Sequence, residues 1–251
     1  PDKEFFISPL AEFDKATETA HAGYYAAHLL KDDILAELTA TPHVGIHRYT
    51  FPEGQDAKIF LFEGNRNRSR HFSFKQIDEY TVEGELRAWG GVYFTMKLLS
   101  PVKSAKIWDG KDVVEGNSIE KVNSSGLILS FGDLKGKSLE MKVGVSLTSI
   151  EAARKNLATQ SPSGDFTFYK EKAFEEWNSK LSRIKVEGDN DEYKTIFYTA
   201  LYHTCQLPVV LSDVDGTYPG YDGNIHVAEG YRHFHDYAFW DDFRTKYPLY
   251  S

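Results

Sequence analysis

The sequence predicts a mainly β chain with C-terminal helices, in which an antiparallel β-sandwich comes first and helices follow. Three observations carry that expectation. Apolar residues alternate in short runs up to about Ile150, they recur every three or four positions beyond it, and Gly, Asn, Asp or Pro clusters punctuate the alternating half. The 251 residues, 41% hydrophobic and 14% aromatic, are enough to bury a core in one large or two modest domains.

The first half reads strand by strand. Alternating or short apolar runs at 44–51, 58–62, 80–89, 92–98, 105–108 and 127–131 are separated by turn residues such as Glu63, Gly64 and Asn65. The clearest run has Leu139, Met141, Val143, Val145 and Leu147 alternating with Glu140, Lys142, Gly144, Ser146 and Thr148, the pattern of a half-buried strand. Trp89 and Trp108 fall in strand-like segments and read as core or sheet-face residues rather than as a carbohydrate-binding platform. The basic cluster Arg66, Arg68 and Arg70 with His71 reads as a loop between strands.

The period then changes. Phe166, Phe168, Tyr169, Ala173, Phe174, Trp177, Leu181 and Ile184 make a helical stripe with Asp165 as its N-cap. A second helix is predicted from Asn190, with Asp191 and Glu192 complementing its positive end, and it stops before Pro208. Ile196, Phe197, Ala200, Leu201 and Thr204 should form its packed stripe, and Cys205 reads as a small buried residue. The exposed-looking segment 160–164 is the best linker. The predicted division is therefore a sandwich over 1–160, a helical linker over 161–187 and a further helical unit over 188–251.

Composition removes several classes of function. With 29 Lys+Arg against 37 Asp+Glu the net charge is −8, which argues against nucleic acid as a partner. No apolar run approaches the ~18–20 residues of a membrane-spanning helix. A single cysteine rules out an internal disulfide and a multi-Cys metal site.

Candidate chemistry gathers at the C-terminal end. From His203 onward lie His203, His226, His233 and His235, seven carboxylates (Asp213, Asp215, Asp222, Glu229, Asp236, Asp241 and Asp242) and only three basic residues, amid several tyrosines. Carboxylates and imidazoles hydrogen-bond sugar hydroxyls while aromatic faces cover the C–H face of a pyranose, so this mixture suits carbohydrate. Asp213-Val-Asp215-Gly216 fails the EF-hand spacing, and its Asp and Gly content fits Asx turns. His233 and His235 would share one face of an extended segment and could seat a transition metal with Asp241 or Asp242, a weaker alternative. In Trp240-Asp-Asp-Phe-Arg244 the helical spacing allows either a carboxylate beside Arg244 or a helix that packs Trp240 and Phe243.

The blocks His21-Ala-Gly-Tyr-Tyr25, Ala36-Glu-Leu-Thr-Ala-Thr41, Val44-Gly-Ile-His-Arg-Tyr-Thr-Phe-Pro52, Val143-Gly-Val-Ser146, Phe197-Tyr-Thr-Ala-Leu-Tyr-His-Thr204, Ser212-Asp-Val-Asp-Gly216, Tyr221-Asp-Gly223 and Trp240-Asp-Asp-Phe-Arg244 occur in this order. Together they resemble glycoside hydrolase family 92, the calcium-dependent exo-acting α-mannosidases of glycan-degrading bacteria. The resemblance implies a galactose-mutarotase-like β-sandwich, a helical linker and the first part of an (α/α)6 toroid. It also implies that Trp240 and Asp241 line the pocket of the terminal mannose, with Arg244 as a supporting neighbour. Asp242 departs from the family, which usually has Thr at that position.

The implied activity is inverting hydrolysis of α-mannosidic linkages, α-1,2 foremost, in a mannose-containing glycan, assisted by calcium. The family's Gly-rich opening and Ser-His-Thr-His-type block are expected before Pro1. The general acid, the general base and most calcium ligands are expected beyond Ser251, so no catalytic or metal residue is assigned within 1–251. A chain of these residues alone should therefore be inactive. The expected location is the periplasm or cell surface of a bacterium, or the secreted fraction, and the oligomeric state stays open. The competing reading is a non-catalytic carbohydrate-binding module built on the sandwich and the aromatic loop.

Overall fold

The alternating residues of the first half build two antiparallel sheets packed face to face in a computed structural model. It describes residues 11–62, 71–87, 91–109, 112–122, 125–235 and 239–250. The strands are β1 (Thr19–His21), β2 (Tyr24–Leu29), β3 (Ile34–Ala40), β4 (Val44–Thr50), β5 (Asp56–Phe62), β6 (His71–Asp78) and β7 (Thr81–Arg87). They continue as β8 (Val92–Leu98), β9 (Ser104–Trp108), β10 (Val113–Glu115), β11 (Ser118–Val122), β12 (Gly126–Asp133) and β13 (Ser138–Ser146). Among the described residues one sheet has nine strands in the order β1-β2-β3-β4-β13-β8-β7-β6-β11, and the other has four in the order β10-β9-β12-β5. Between them Phe72, Val82, Leu98 and Leu139 of the larger sheet meet Leu127, Leu129 and Phe131 of the smaller in a fully buried core.

Helices cover the other face of the larger sheet. They are α1 (Ile150–Gln160) and α2 (Phe166–Leu181), followed by α3 (Asp191–Thr204). Each begins at a side-chain cap: Ser149 accepts from the Ala152 amide, Asp165 from Phe168 and Asn190 from Tyr193. The caps at Asp165 and Asn190 are those the sequence predicts, whereas α1 lies ahead of the predicted helices. Val44 and Ile46 of β4 pack against Phe166 and Tyr169 of α2, and Gly144 of β13 lets α1 approach through Ala153 and Leu157.

This coverage corrects the half-buried reading of β13. Lys142 and Ser146, on its polar side, are buried beneath the helices while Val145 is exposed. Charge holds the helices there. The buried Glu83 takes a bidentate pair from Arg154 of α1, with Nε and Nη2 each at 2.6 Å. Glu37 takes a similar pair from Arg48, at 2.6 and 2.7 Å, whose guanidinium lies 4.4 Å over the Phe166 ring. Burial pushes Glu37 up, and the hydrogen bonds from Arg48 and Tyr24 outweigh it to leave the group below its usual value. Tyr24, half-buried and donating to Glu37, is pushed up to about 12 by desolvation and that hydrogen bond.

The second half departs further from expectation. Phe168 and Phe174 of α2, and Ile196 and Ala200 of α3, are exposed, and Phe174 meets only the edge of the His21 ring among the aromatic rings of the described residues. α3 instead leans on α2 through Tyr202, whose ring lies 4.8 Å from Trp177. Cys205 is part-exposed rather than buried. Trp108 packs edge-on to Phe60 at 5.7 Å, as a sheet-face residue would. Trp89, the turn 63–65 and Arg66, Arg68 and Arg70 lie outside the described residues.

Candidate functional site

After α3 the chain forms two small ladders, β14 (Val209–Val210) with β17 (Phe234–His235) and β15 (Thr217–Pro219) with β16 (Ile225–Val227). The short helices α4 (Phe239–Asp242) and α5 (Lys246–Tyr250) follow. The Ser212–Gly216 bend is a turn, as its Asp and Gly residues predict: the Gly216 amide donates to the Asp213 carbonyl at 2.9 Å, and the Asp213 amide to the Thr217 carbonyl at 2.8 Å. Gly216 has φ +86°, and a Cβ there would meet the Ala228 carbonyl at 2.7 Å.

Asp213 is 5% exposed. Its carboxylate accepts from Ser146 Oγ at 2.7 Å, Thr148 Oγ1 at 2.7 Å and Asn156 Nδ2 at 2.6 Å. Asn156 in turn accepts from the Val214 amide at 2.9 Å. Beside it His43, also buried, shares a 2.8 Å hydrogen bond between its Nδ1 and Gln160 Nε2, while among the described residues its Nε2 finds no partner at hydrogen-bonding geometry. Burial pushes His43 below its ordinary value of 6.5 against the opposing pull of Asp213. Sequence reasoning missed this cluster. The signal was Asn156, a polar residue on the same buried helix face as Ala152 and Ala153.

The aromatic loop pairs tyrosines with imidazoles. Tyr218 stacks on His233 at 4.0 Å and 16°, and Tyr221 shares a hydrogen bond with His235 Nε2. Asp222 holds His226 at 3.0 Å, and Asn224 and His226 together keep its carboxyl well below the usual range. Asp215 is likewise lowered by Thr217 and then Lys155. Tyr221 takes up the Nε2 of His235, and among the described residues neither Asp241 nor Asp242 gathers with His233 and His235 into a three-ligand group, which weakens the transition-metal alternative.

Among the described residues no three His, Cys, Asp or Glu side chains gather as a metal cage. The carboxylates of Asp213, Asp215 and Asp222 are each taken by protein donors, so these residues do not by themselves fit a calcium ion.

Trp240 is 86% exposed, and Asp241 and Arg244 are exposed beside it. Neither Asp241 nor Arg244 forms an ion pair among the described residues; the Arg244 guanidinium lies 5.1 Å over the Phe243 ring. Asp242 faces Lys246 at 3.5 Å. The helix is too short to bring a carboxylate onto Arg244, and it leaves an indole face and a free carboxylate open to a ligand. A second opening, a groove of about 690 Å³, lies between the β1–β2 turn at His21 and α3, with Lys194, Tyr198, Tyr202 and His203 on its wall.

Residues 7–146 match the N-terminal domain of glycosyl hydrolase family 92, and residues 152–251 match the catalytic domain of that family. The chain belongs to glycosyl hydrolase family 92. In fold it is similar to the family GH92 alpha-mannosidase BT3965 of Bacteroides thetaiotaomicron, with TM-score 0.87 and 24% identity over 96% of this chain and 34% of that one. The inverting mannosidase BT2199 of the same organism gives 0.86 and 25% over 96% and 33%. The family GH92 glycosyl hydrolase ccman5 gives 0.85 and 26% over 95% and 35%. The chain thus spans about a third of the length of these solved structures. No curated protein matches it by sequence.

Proposed function

We propose that the protein to which these residues belong removes terminal α-linked mannose from glycans, α-1,2-linked mannose foremost, by inverting hydrolysis. The match of residues 152–251 to a family 92 catalytic domain, with Trp240 and Asp241 open at its surface, carries this reading. It is supported by two similar structures, one described as an inverting mannosidase and one as bound to mannoimidazole. In such chemistry a carboxylic acid protonates the glycosidic oxygen while a carboxylate ~6.5–9.5 Å away activates water on the opposite face. Within this chain the indole of Trp240 covers the C–H face of the sugar, and Asp241 accepts hydrogen bonds from its hydroxyls. Arg244, held on Phe243, keeps a positive charge at the rim.

Calcium is part of the reading as a hard cation for vicinal sugar hydroxyls, with its ligands mostly outside 1–251. We place the protein in the periplasm, at the cell surface or outside a bacterium, which cell fractionation checks. The function is tested by mannose release from an α-1,2-linked disaccharide by the whole protein. Trp240→Ala and Asp241→Asn should each lower kcat/KM about tenfold or more, the size of a lost stacking face or charged hydrogen bond. A chelator should suppress the release and added calcium restore it. Full activity in both variants would remove Trp240 and Asp241 from the pocket, and no mannose release at all would overturn the function.

A further inference from the structure

We infer that Asp213 is a positioning residue of the mannoside site, fixing the 211–235 loop to the sandwich so that Trp240 and Asp241 stand where a sugar can reach them. The inference rests on the mannoside reading above. Its starting point is an unusual charge. The Asp213 carboxylate is buried, yet among the described residues no Lys or Arg pairs with it. Lys155, the cation of the adjoining helix, pairs instead with Asp215 at 3.2 Å. A buried carboxylate without a cation costs stability, and a neutral side chain would fill the space at less cost. What the carboxylate supplies is acceptor capacity in several directions at once.

Those directions converge from separate parts of the chain. Ser146 ends β13, Thr148 lies in the turn after it, and Asn156 stands on the buried face of α1. Ser146 belongs to the N-terminal family domain and Asn156 to the catalytic one, so Asp213 closes its hydrogen bonds across the boundary between them. From Asp213 the constraint passes outward along the backbone. The neighbouring Ser212 Oγ accepts from the His233 amide at 3.0 Å, and the Leu211 amide donates to the His233 carbonyl at 2.8 Å. β14 and β17 then pair Val209 with His235 and Val210 with Phe234. α4, which bears Trp240 and Asp241, begins at Phe239, four positions in sequence after His235, where the strand held by this anchor ends.

The test removes single hydrogen bonds without removing the carboxylate. Thr148→Val and Ser146→Ala each delete one hydroxyl, the double variant deletes both, Thr148→Ser keeps the donor, and Asp213→Asn keeps the shape but loses acceptor capacity. In the whole protein, the double variant and Asp213→Asn should raise KM for an α-mannoside about tenfold, as one or two lost charged hydrogen bonds imply, with kcat changed less. Thr148→Ser should behave as wild type. Amide hydrogen exchange on the same variants reads the anchor without turnover, and the 209–235 amides should exchange faster while β4 and β12 keep their protection.

Unchanged KM in folded variants overturns the positioning role, as does a Thr148→Ser variant as impaired as Thr148→Val. Unchanged exchange over 209–235 overturns the anchor itself. A wild type that releases no mannose but shows the exchange pattern leaves the anchor standing and overturns the mannoside reading beneath it.

Discussion

His43 shows how one side chain links burial to pH. Its folded pKa is depressed, burial being the largest cause, so the fold prefers the neutral ring while the unfolded chain takes up a proton near the ordinary 6.5. The sign follows: stability is complete above that value and is lost as pH falls through it. His47, depressed by burial alone, contributes with the same sign. His43→Asn should therefore reduce, without abolishing, the loss of unfolding free energy between about pH 7 and pH 5. Urea titrations at both pH values check this, and an acid loss as steep as that of wild type would show that His43 does not carry it. His43 was not among the residues singled out in the sequence, because a lone histidine in a Thr-Pro-His turn has no local signature. Its hydrogen-bond partner is Gln160, 117 positions away.

At the scale of elements, the tightest constraint is between β13 and α1. A Cβ at Gly144 would stand 2.6 Å from the Ala153 carbonyl oxygen and 2.7 Å from Leu157 Cβ. Neither atom is the far end of a flexible chain, so Gly144→Ala should push α1 off the sheet and cost about 1–3 kcal/mol, the usual range for overpacking. The denaturation midpoint reads this directly, and an unshifted midpoint would mean that the helix yields freely. The periodicity of β13 was plain in the sequence, as were the caps at Asp165 and Asn190, since each depends on neighbours within a few residues. The helical cover over Lys142 and Ser146 was not, for alternation records which residues are polar and not what lies over them.

At the scale of the whole molecule, the exposed sides of α2 and α3 and the open Trp240 go with a chain that spans about a third of its solved relatives. The carboxylate pair needed for hydrolysis is not assigned to any residue here, and Asp241 is the free carboxylate of the proposed pocket. On the proposed function, residues 1–251 by themselves should therefore release no mannose, while the whole protein should. Assay of the two preparations side by side checks this, and turnover by the shorter one would place the acid and base within it.

The local patterns of the chain were sufficient for the order of sandwich and helices, the turn at Asp213 and the family, because alternation, caps and turn residues act over a few positions and the family blocks are linear. Packing alone settled the rest: the covered face of β13, the exposure of Ile196 and Ala200 on α3, and the junction in which Asp213 meets Ser146 67 positions away and Asn156 57 positions away. A hydrogen bond between such distant residues leaves no periodic trace in sequence. It exists only once a strand of the larger sheet and a helix have brought its donors to one point.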